Sequence, residues 1–363
     1  MKSKANTVIH VVQHLAPGGL ETLAINMLKF ASSTSNVLIV SLDGNKEEAV
    51  RNWPILSDIT HKLVFLNKKA GVSTNTVSSL YRLFKHIKPQ VVHTHHIGPL
   101  IYGATAAKLA GIKHIVHTEH DAWHLNNSKH RLLQNIVLKF SRPQVVADAD
   151  VVKNQLDSQL SYDRVAVIRN GVDCERFSPG NKNNARTNLG LTLNDTIIGS
   201  AGRLEHVKGH DLLLKAMPLV HPSVKLVIAG DGTQREALTK MAKDLSISDR
   251  VYFLGLVGDM PNFYRALDVF CLPSRCEGFP LATLEAQACG IPTVAHDVGG
   301  TKETLCPDTG LLSPVGDHKA LADNINKLLI QQSDRSPRRF VTRNNDIKKM
   351  VEAYNALSQE EFA

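Results

Sequence analysis

Short apolar runs alternate with helical patterns from the start of the chain, and the alternation begins again in the second half. In the first half the runs are Val8–Val12, Val37–Ser41, Leu63–Leu66, Val91–His93 and His114–Thr118. Between them, Leu20–Ala31, Val77–Lys88 and Pro99–Ala110 repeat apolar residues at helical spacing, and Pro89 and Gly111 stop the last two. A polar stretch to about Asn188 follows, and then strands are expected at Ile197–Ala201, Val224–Ala229, Val251–Leu254, Val269–Leu272 and Pro292–Ala295. Helical patterns separate these as well, at His210–Leu219, Arg235–Leu245, Met260–Ala266, Leu281–Cys289 and His318–Ile330. Alternation of this kind builds βαβ units and parallel sheets. The expectation is an α/β chain of two doubly wound, Rossmann-like domains, residues 1–172 and 173–340, with a hinge near 172–188. The tail, Pro337–Ser358, reads as one helix. Ligands of such sheets bind beyond the carboxyl ends of the strands, so both halves should present those ends to a central cleft.

Composition narrows the class. At 363 residues, two domains can each bury a core without covalent staples. The five cysteines form no C-x-x-C pair, and they read as reduced, mostly buried thiols of a cytoplasmic protein. The first residues lack the pattern of a secretory signal, and no apolar run is long enough to span a bilayer. Positive charge is concentrated early: residues 1–175 hold 20 Lys and Arg against 13 Asp and Glu, and 12 of the 17 histidines. That points to an anionic partner, a membrane face or a phosphorylated substrate. Aromatics are only 5%, and no dense basic run carries them, which argues against nucleic acid.

Four turns carry the chemistry. After the expected strand Val269–Leu272, the segment Arg275-Cys276-Glu277-Gly278-Phe279-Pro280-Leu281 enters a helix that holds Glu285. At 100° per residue Glu277 and Glu285 need not share a face, which suits two parts of an extended ligand better than one metal ion. After Ile197–Ala201 come Gly202-Arg203 and Lys208-Gly209. Glycine lets a ligand approach the backbone, Arg203 supplies a planar fork for phosphate oxygens and Lys208 a point charge, so the segment reads as a diphosphate clamp. It is neither G-x-G-x-x-G nor a P-loop. Val298-Gly299-Gly300 and Pro17-Gly18-Gly19 offer backbone N–H groups at strand-to-helix turns.

In this order the motifs resemble glycosyltransferase family 4, the retaining nucleotide-sugar transferases of GT-B fold. The matches are Pro17-Gly18-Gly19-x-Glu21, His93-Thr94-His95-His96, His117-Thr118-Glu119-His120-Asp121 and Arg169-Asn170-Gly171-Val172-Asp173. Further along come Gly202-Arg203, Lys208-Gly209, Gly230-Asp231-Gly232, Glu277/Glu285 and Val298-Gly299-Gly300, so that the likeness covers about residues 8–320. The resemblance implies that the second domain binds a nucleoside-diphosphate sugar and the first receives the acceptor, with a helix over 341–363 crossing back to the first. It implies no metal and no cofactor: Arg203 and Lys208 hold the diphosphate, Glu277 the donor sugar and Glu285 the ribose. Gly278, Phe279, Pro280, Leu281, Gly299 and Gly300 complete the donor site, Gly19 admits the diphosphate, and the base lies near Leu256. His120 stands near the anomeric centre, and Glu21, His95, His96 and Asp121 lie on the acceptor side. A UDP-sugar is favoured as donor. A bacterial envelope polysaccharide or lipopolysaccharide acceptor, glycan or lipid-linked, is the commonest setting, with peripheral attachment to the inner face of the cytoplasmic membrane.

Two other readings share these residues. The cluster His93/His95/His120 has the residue types of a metal-dependent hydrolase, though that leaves the second half of the chain unexplained. A nucleotide-sugar epimerase shares the GT-B architecture. His93 reads alternatively as a satisfied strand-end histidine, and His124 as a surface or acceptor-loop residue.

Overall fold

The computed structural model describes residues 6–330 and 336–359; the first residues of the opening segment and the last of the expected tail helix lie outside them. The chain divides into two compact units, one of residues 1–170 with 347–363, the other of residues 171–346.

The first unit is a seven-stranded, all-parallel sheet. Its strands are β1 (Asn6–Val12), β2 (Ser35–Ser41), β3 (Leu63–Phe65), β4 (Val91–His95), β5 (His114–Glu119), β6 (Gln144–Ala147) and β7 (Val165–Val167), in the order β3-β2-β1-β4-β5-β6-β7. The chain leaves β1 in one direction and resumes beside it at β4, so the switch point of the winding lies between these two strands. Strands β6 and β7 are additions to the sequence reading; each is a run of only three or four residues. The stretch Pro99–Ala110, expected as one α-helix, contains a π-helical segment at Leu100–Ala104, and helical structure begins at Ile97. A Cβ on Gly103 would come within 2.8 Å of the Thr94 side chain, so the wider turn fits where this helix lies close on β4.

The second unit has six parallel strands: β8 (Thr196–Ala201), β9 (Val224–Ala229), β10 (Val251–Gly255), β11 (Val269–Leu272), β12 (Thr293–His296) and β13 (Gly310–Ser313). Their order is β10-β9-β8-β11-β12-β13, with the switch point between β8 and β11. Its core is aliphatic, with Ile198, Leu213, Leu226, Ile228, Cys271, Val294 and Ile325 fully or almost fully buried. All five thiols are free, and all but the half-buried Cys276 are buried.

The tail is two helices, Pro337–Asn344 and Ile347–Gln359, where the periodicity reads as one. Arg338 explains the break. Its guanidinium donates to the carbonyls of Phe177, Ala288 and Cys174, which ties the first helix to the second unit. The second helix puts Ile347, Met350, Val351 and Tyr354 into a cluster with Leu23, Val91, Val116 and Val146 of the first unit. The change of unit therefore falls between Asp346 and Ile347, not at residue 340.

Candidate active site

The site in the second unit stands at the carboxyl ends of β8, β11 and β12. The loop after β8 is pinned to the loop after β9: Gly202 N–H donates to the Ala229 carbonyl and Leu204 N–H to the Asp231 carbonyl. Gly230, at φ +138°, sits where a Cβ would be 2.0 Å from the Gly202 carbonyl oxygen, so only glycine fits the crossing. This holds Arg203 exposed at the loop's surface, with its backbone fixed on both sides.

Lys208 follows on a single 3-10 turn. Its Nζ lies 2.7 Å from Glu277 Oε1, and Ser274 Oγ donates to the same oxygen at 2.6 Å. Glu277 is buried, Lys208 partly so. The loop carrying Glu277 is locked by the third turn: Gly300 N–H donates to the Gly278 carbonyl at 2.7 Å. Gly299, at φ +55°, would place a Cβ 1.8 Å from the Glu277 carbonyl oxygen. The Gly299→Ala protein should lose more than about 1 kcal/mol of stability and displace Glu277; an unchanged melting temperature together with an undiminished transfer rate would contradict the packing described.

Glu285 sits in the helix Leu281–Ala288, capped by Pro280, and Phe279 is buried before it. Its Oε2 accepts from the Tyr264 hydroxyl at 2.7 Å, and burial raises its pKa to about 7, against the opposing pull of that hydrogen bond. Glu277 and Glu285 therefore have different partners and different electrostatic settings, although both belong to one loop and helix. Leu256, just after β10, is 77% exposed. Beneath the loop after β8, buried His210 is held neutral, its pKa lowered to about 4 by burial and by Lys208.

The first unit carries a buried stack of imidazoles at the ends of β1, β4 and β5. Register dictates it: His10 pairs with His93 across β1 and β4, and His95 is two residues further on the same face. Neighbouring rings in this stack lie 4.1–5.6 Å apart from His10 through His93 and His95 to His120. His10 Nδ1 meets His95 Nε2 at 3.0 Å, and His95 Nδ1 meets His120 Nε2 at 3.4 Å. His120 Nδ1 contacts Asp148 Oδ2 at 3.2 Å, an oxygen that also accepts from Asn170. Burial lowers the pKa of His10 to about 4 and those of His93 and His95 well below the usual value, neighbouring imidazoles adding to the effect. Burial raises that of Asp148 to about 6.

On the opposite face of β5, His117 bonds Thr94 and Glu119, and Gln134 joins Glu119 to His124. His124 is thus not a surface residue; its side chain is 8% exposed. His93 is a buried core residue, its Nε2 2.7 Å from the Thr118 hydroxyl, which in turn meets Tyr354. His96 is held at φ +71°, ψ 165°, a conformation that almost only glycine adopts, with its Nε2 3.5 Å from Asp121. That carboxyl stays well below its usual pKa: the His124 and His96 imidazoles beside it overcome the burial that opposes them.

Among the described residues, two groups bring ligand-type atoms within 4.8 Å of one another: His10/His93/His95 and His96/Asp121/His124. His120 belongs to neither. Hydrogen bonds already occupy one nitrogen each of His10 and His93 and both nitrogens of His95.

Near β1, Gly18 precedes the helix Gly19–Lys29, and buried Glu21 folds back over Gly18 to meet His14 at 3.4 Å. Ser274, Tyr264, Asp148 and His10 are absent from the sequence reading. Ser274 stands three residues before Glu277 and was within reach of a motif argument; the others reach their partners only through the tertiary fold.

Two family models match the chain, Glycosyltransferase Family 4 over residues 17–176 and Glycosyl transferases group 1 over residues 181–347. A Corynebacterium glutamicum GDP-mannose-dependent phosphatidylinositol monomannoside mannosyltransferase is 30% identical over 70% of this chain and 72% of its own. An Escherichia coli UDP-Gal:alpha-D-GlcNAc-diphosphoundecaprenol alpha-1,3-galactosyltransferase is 34% identical over 61% of each chain. The chain spans about half the length (46%) of a 35% identical Mycobacteroides abscessus D-inositol 3-phosphate glycosyltransferase. Among solved structures, Anabaena HepE in complex with UDP aligns with TM-score 0.84 at 20% identity, covering 96% of this chain and 98% of that one. A Rickettsia africae glycosyltransferase aligns with TM-score 0.83 at 22% identity, over 98% and 99%. The two parallel sheets are those of a GT-B fold, and the chain belongs to glycosyltransferase family 4.

Proposed function

We propose that this protein moves a hexose or N-acetylhexosamine, with retention, from a nucleoside-diphosphate sugar to an envelope glycan or lipid-linked acceptor. The observation that carries the reading is the Lys208–Glu277–Ser274 cluster beside exposed Arg203, set at the switch point of the second sheet. Arg203 and Lys208 would take the diphosphate and the charge that develops on it, fixed cations doing there what a metal does in other enzymes. Glu277 would hold the donor sugar's hydroxyls and Glu285 the ribose. His120 would face the sugar, its ring oriented by Asp148 through Nδ1. In a same-face displacement the leaving phosphate itself takes the acceptor's proton, so no carboxylate pair of glycosidase type is required. A UDP-sugar is favoured: the named donor of the E. coli relative is UDP-Gal, and Anabaena HepE has been solved with UDP and with UDP-glucose.

The test is a thermal-shift panel of nucleoside diphosphates and their sugars, with and without EDTA, followed by the anomeric configuration of the product. A ligand that binds the native state raises the melting temperature. One nucleoside diphosphate should do so regardless of EDTA, and Arg203→Ala and Lys208→Ala should each weaken it about tenfold or more. Loss of stability in EDTA with no nucleotide response would favour instead a hydrolase built on the histidine-rich first unit.

A further inference from the structure

The helix Ser128–Ser141 in the first unit is apolar on two sides. Its inner face is already used: Gln134, Val137, Leu138 and Ser141 are buried. On the outer side Leu132, Leu133, Ile136 and Phe140 are 64%, 40%, 56% and 47% exposed. At 3.6 residues per turn these four fall within about 100° of the helix circumference, centred about 140° from the middle of the buried face. Single exposed leucines are ordinary, but a contiguous stripe of this width marks a binding surface.

The charges around the stripe say what covers it. Lys129 lies within the arc at the amino-terminal end, Lys139 lies at its edge, and Arg131 and Arg142 continue round the helix. The helix contains no Asp or Glu. Trp123 is 43% exposed in the short turn just before the helix, and indole prefers the boundary between water and acyl chains. Apolar residues on one face, cations at its border and an aromatic at one end describe a helix that lies in the plane of an anionic interface.

We infer that the helix Ser128–Ser141 docks the first unit on an anionic lipid surface, Leu132, Leu133, Ile136 and Phe140 entering the headgroup–acyl boundary while Lys129 and Lys139 meet lipid phosphates. This builds on the lipid-linked acceptor proposed above, since docking would bring the chain to a substrate confined to the bilayer. Among the described residues no helix is long and apolar enough to cross a membrane, so attachment would be by this face rather than by a span.

The full chain is tested by flotation with vesicles of phosphatidylcholine, alone and with phosphatidylglycerol, at low and high salt. Wild type should float with the anionic vesicles, most strongly at low salt. The variant Leu132→Ser/Ile136→Ser/Phe140→Ser should lose at least tenfold in partition at either salt. Lys129→Gln/Lys139→Gln should lose about fivefold per charge at low salt and little at high salt. Both variants should keep the wild-type melting shift with UDP, which separates loss of docking from loss of the fold or of nucleotide binding. Trp123 emission, read in a Trp53→Phe background, should shift to the blue with anionic vesicles. No flotation of wild type at either salt, or equal flotation of the triple serine variant, would overturn the inference. So would sedimentation showing a dimer that the triple variant dissociates, because a second copy would then cover the face. If UDP fails to bind but flotation follows this pattern, the donor assignment falls and the docking surface stands.

Discussion

The Glu277→Ala protein should lose about a thousandfold in transfer rate while binding the nucleoside diphosphate as well as wild type does. Glu277 Oε1 receives Lys208 and Ser274, and its main chain is fixed by Gly299 and Gly300, so the carboxylate is preorganised with its second oxygen available to a hydroxyl. A group held this way acts on the sugar moiety. Its removal frees Lys208 rather than weakening it, so the diphosphate should be held at least as tightly. The measurement pairs initial rates with a titration by the nucleoside diphosphate alone. A parallel loss of both would mean that Glu277 serves the phosphate clamp by positioning Lys208, and Glu277→Gln would then restore neither. Under the sugar-binding role, Glu277→Gln keeps one acceptor oxygen and should recover part of the rate.

Much of this site could be read from the chain because its geometry is local. Gly202-Arg203, Glu277-Gly278 and Gly299-Gly300 each begin within five residues of a strand's end, and that end fixes where the turn emerges. The strands that define the switch point, β8 and β11, are apolar runs of ordinary length, visible as such. What stayed hidden was decided across the sheet. Tyr264 comes from a different helix to meet Glu285, and no pattern near either residue announces the pair. The break in the tail at Asn345 depends on Arg338 finding three carbonyls far away in sequence, whereas helical periodicity runs on through it. His124 sits in a polar-looking loop, and only Gln134 and Glu119 on neighbouring elements bury it.

The same cross-strand register produces the second large effect, a loss of stability in mild acid that originates in the histidine stack. His10 titrates at about 4 in the folded chain against about 6.5 when unfolded. Below 6.5 the unfolded chain therefore takes up a proton that the folded one refuses, and stability falls as pH is lowered through this window. For His10 alone the loss approaches about 3 kcal/mol by pH 4. His93 and His95 are shifted in the same direction by burial and by the neighbouring imidazoles, and they add to it. Asp148 opposes them: raised to about 6, it binds a proton in the folded state first and gains stability as pH falls from 6 to 4. His96 and His124, whose pKa values are raised, are protonated in both states across this window, so three buried imidazoles against the Asp148 carboxyl leave a net loss. Both tryptophans, Trp53 and Trp123, lie in the first unit, so their fluorescence during urea titration follows that unit without interference from the second. Between pH 6 and 4.5 the wild-type slope of stability against pH should be positive. His10→Asn keeps a polar group opposite His95 but cannot be protonated, and it should reduce that slope by about 1.4 kcal/mol per pH unit, the equivalent of one proton. An identical slope in the variant would show that His10 is protonated in the folded chain in this range.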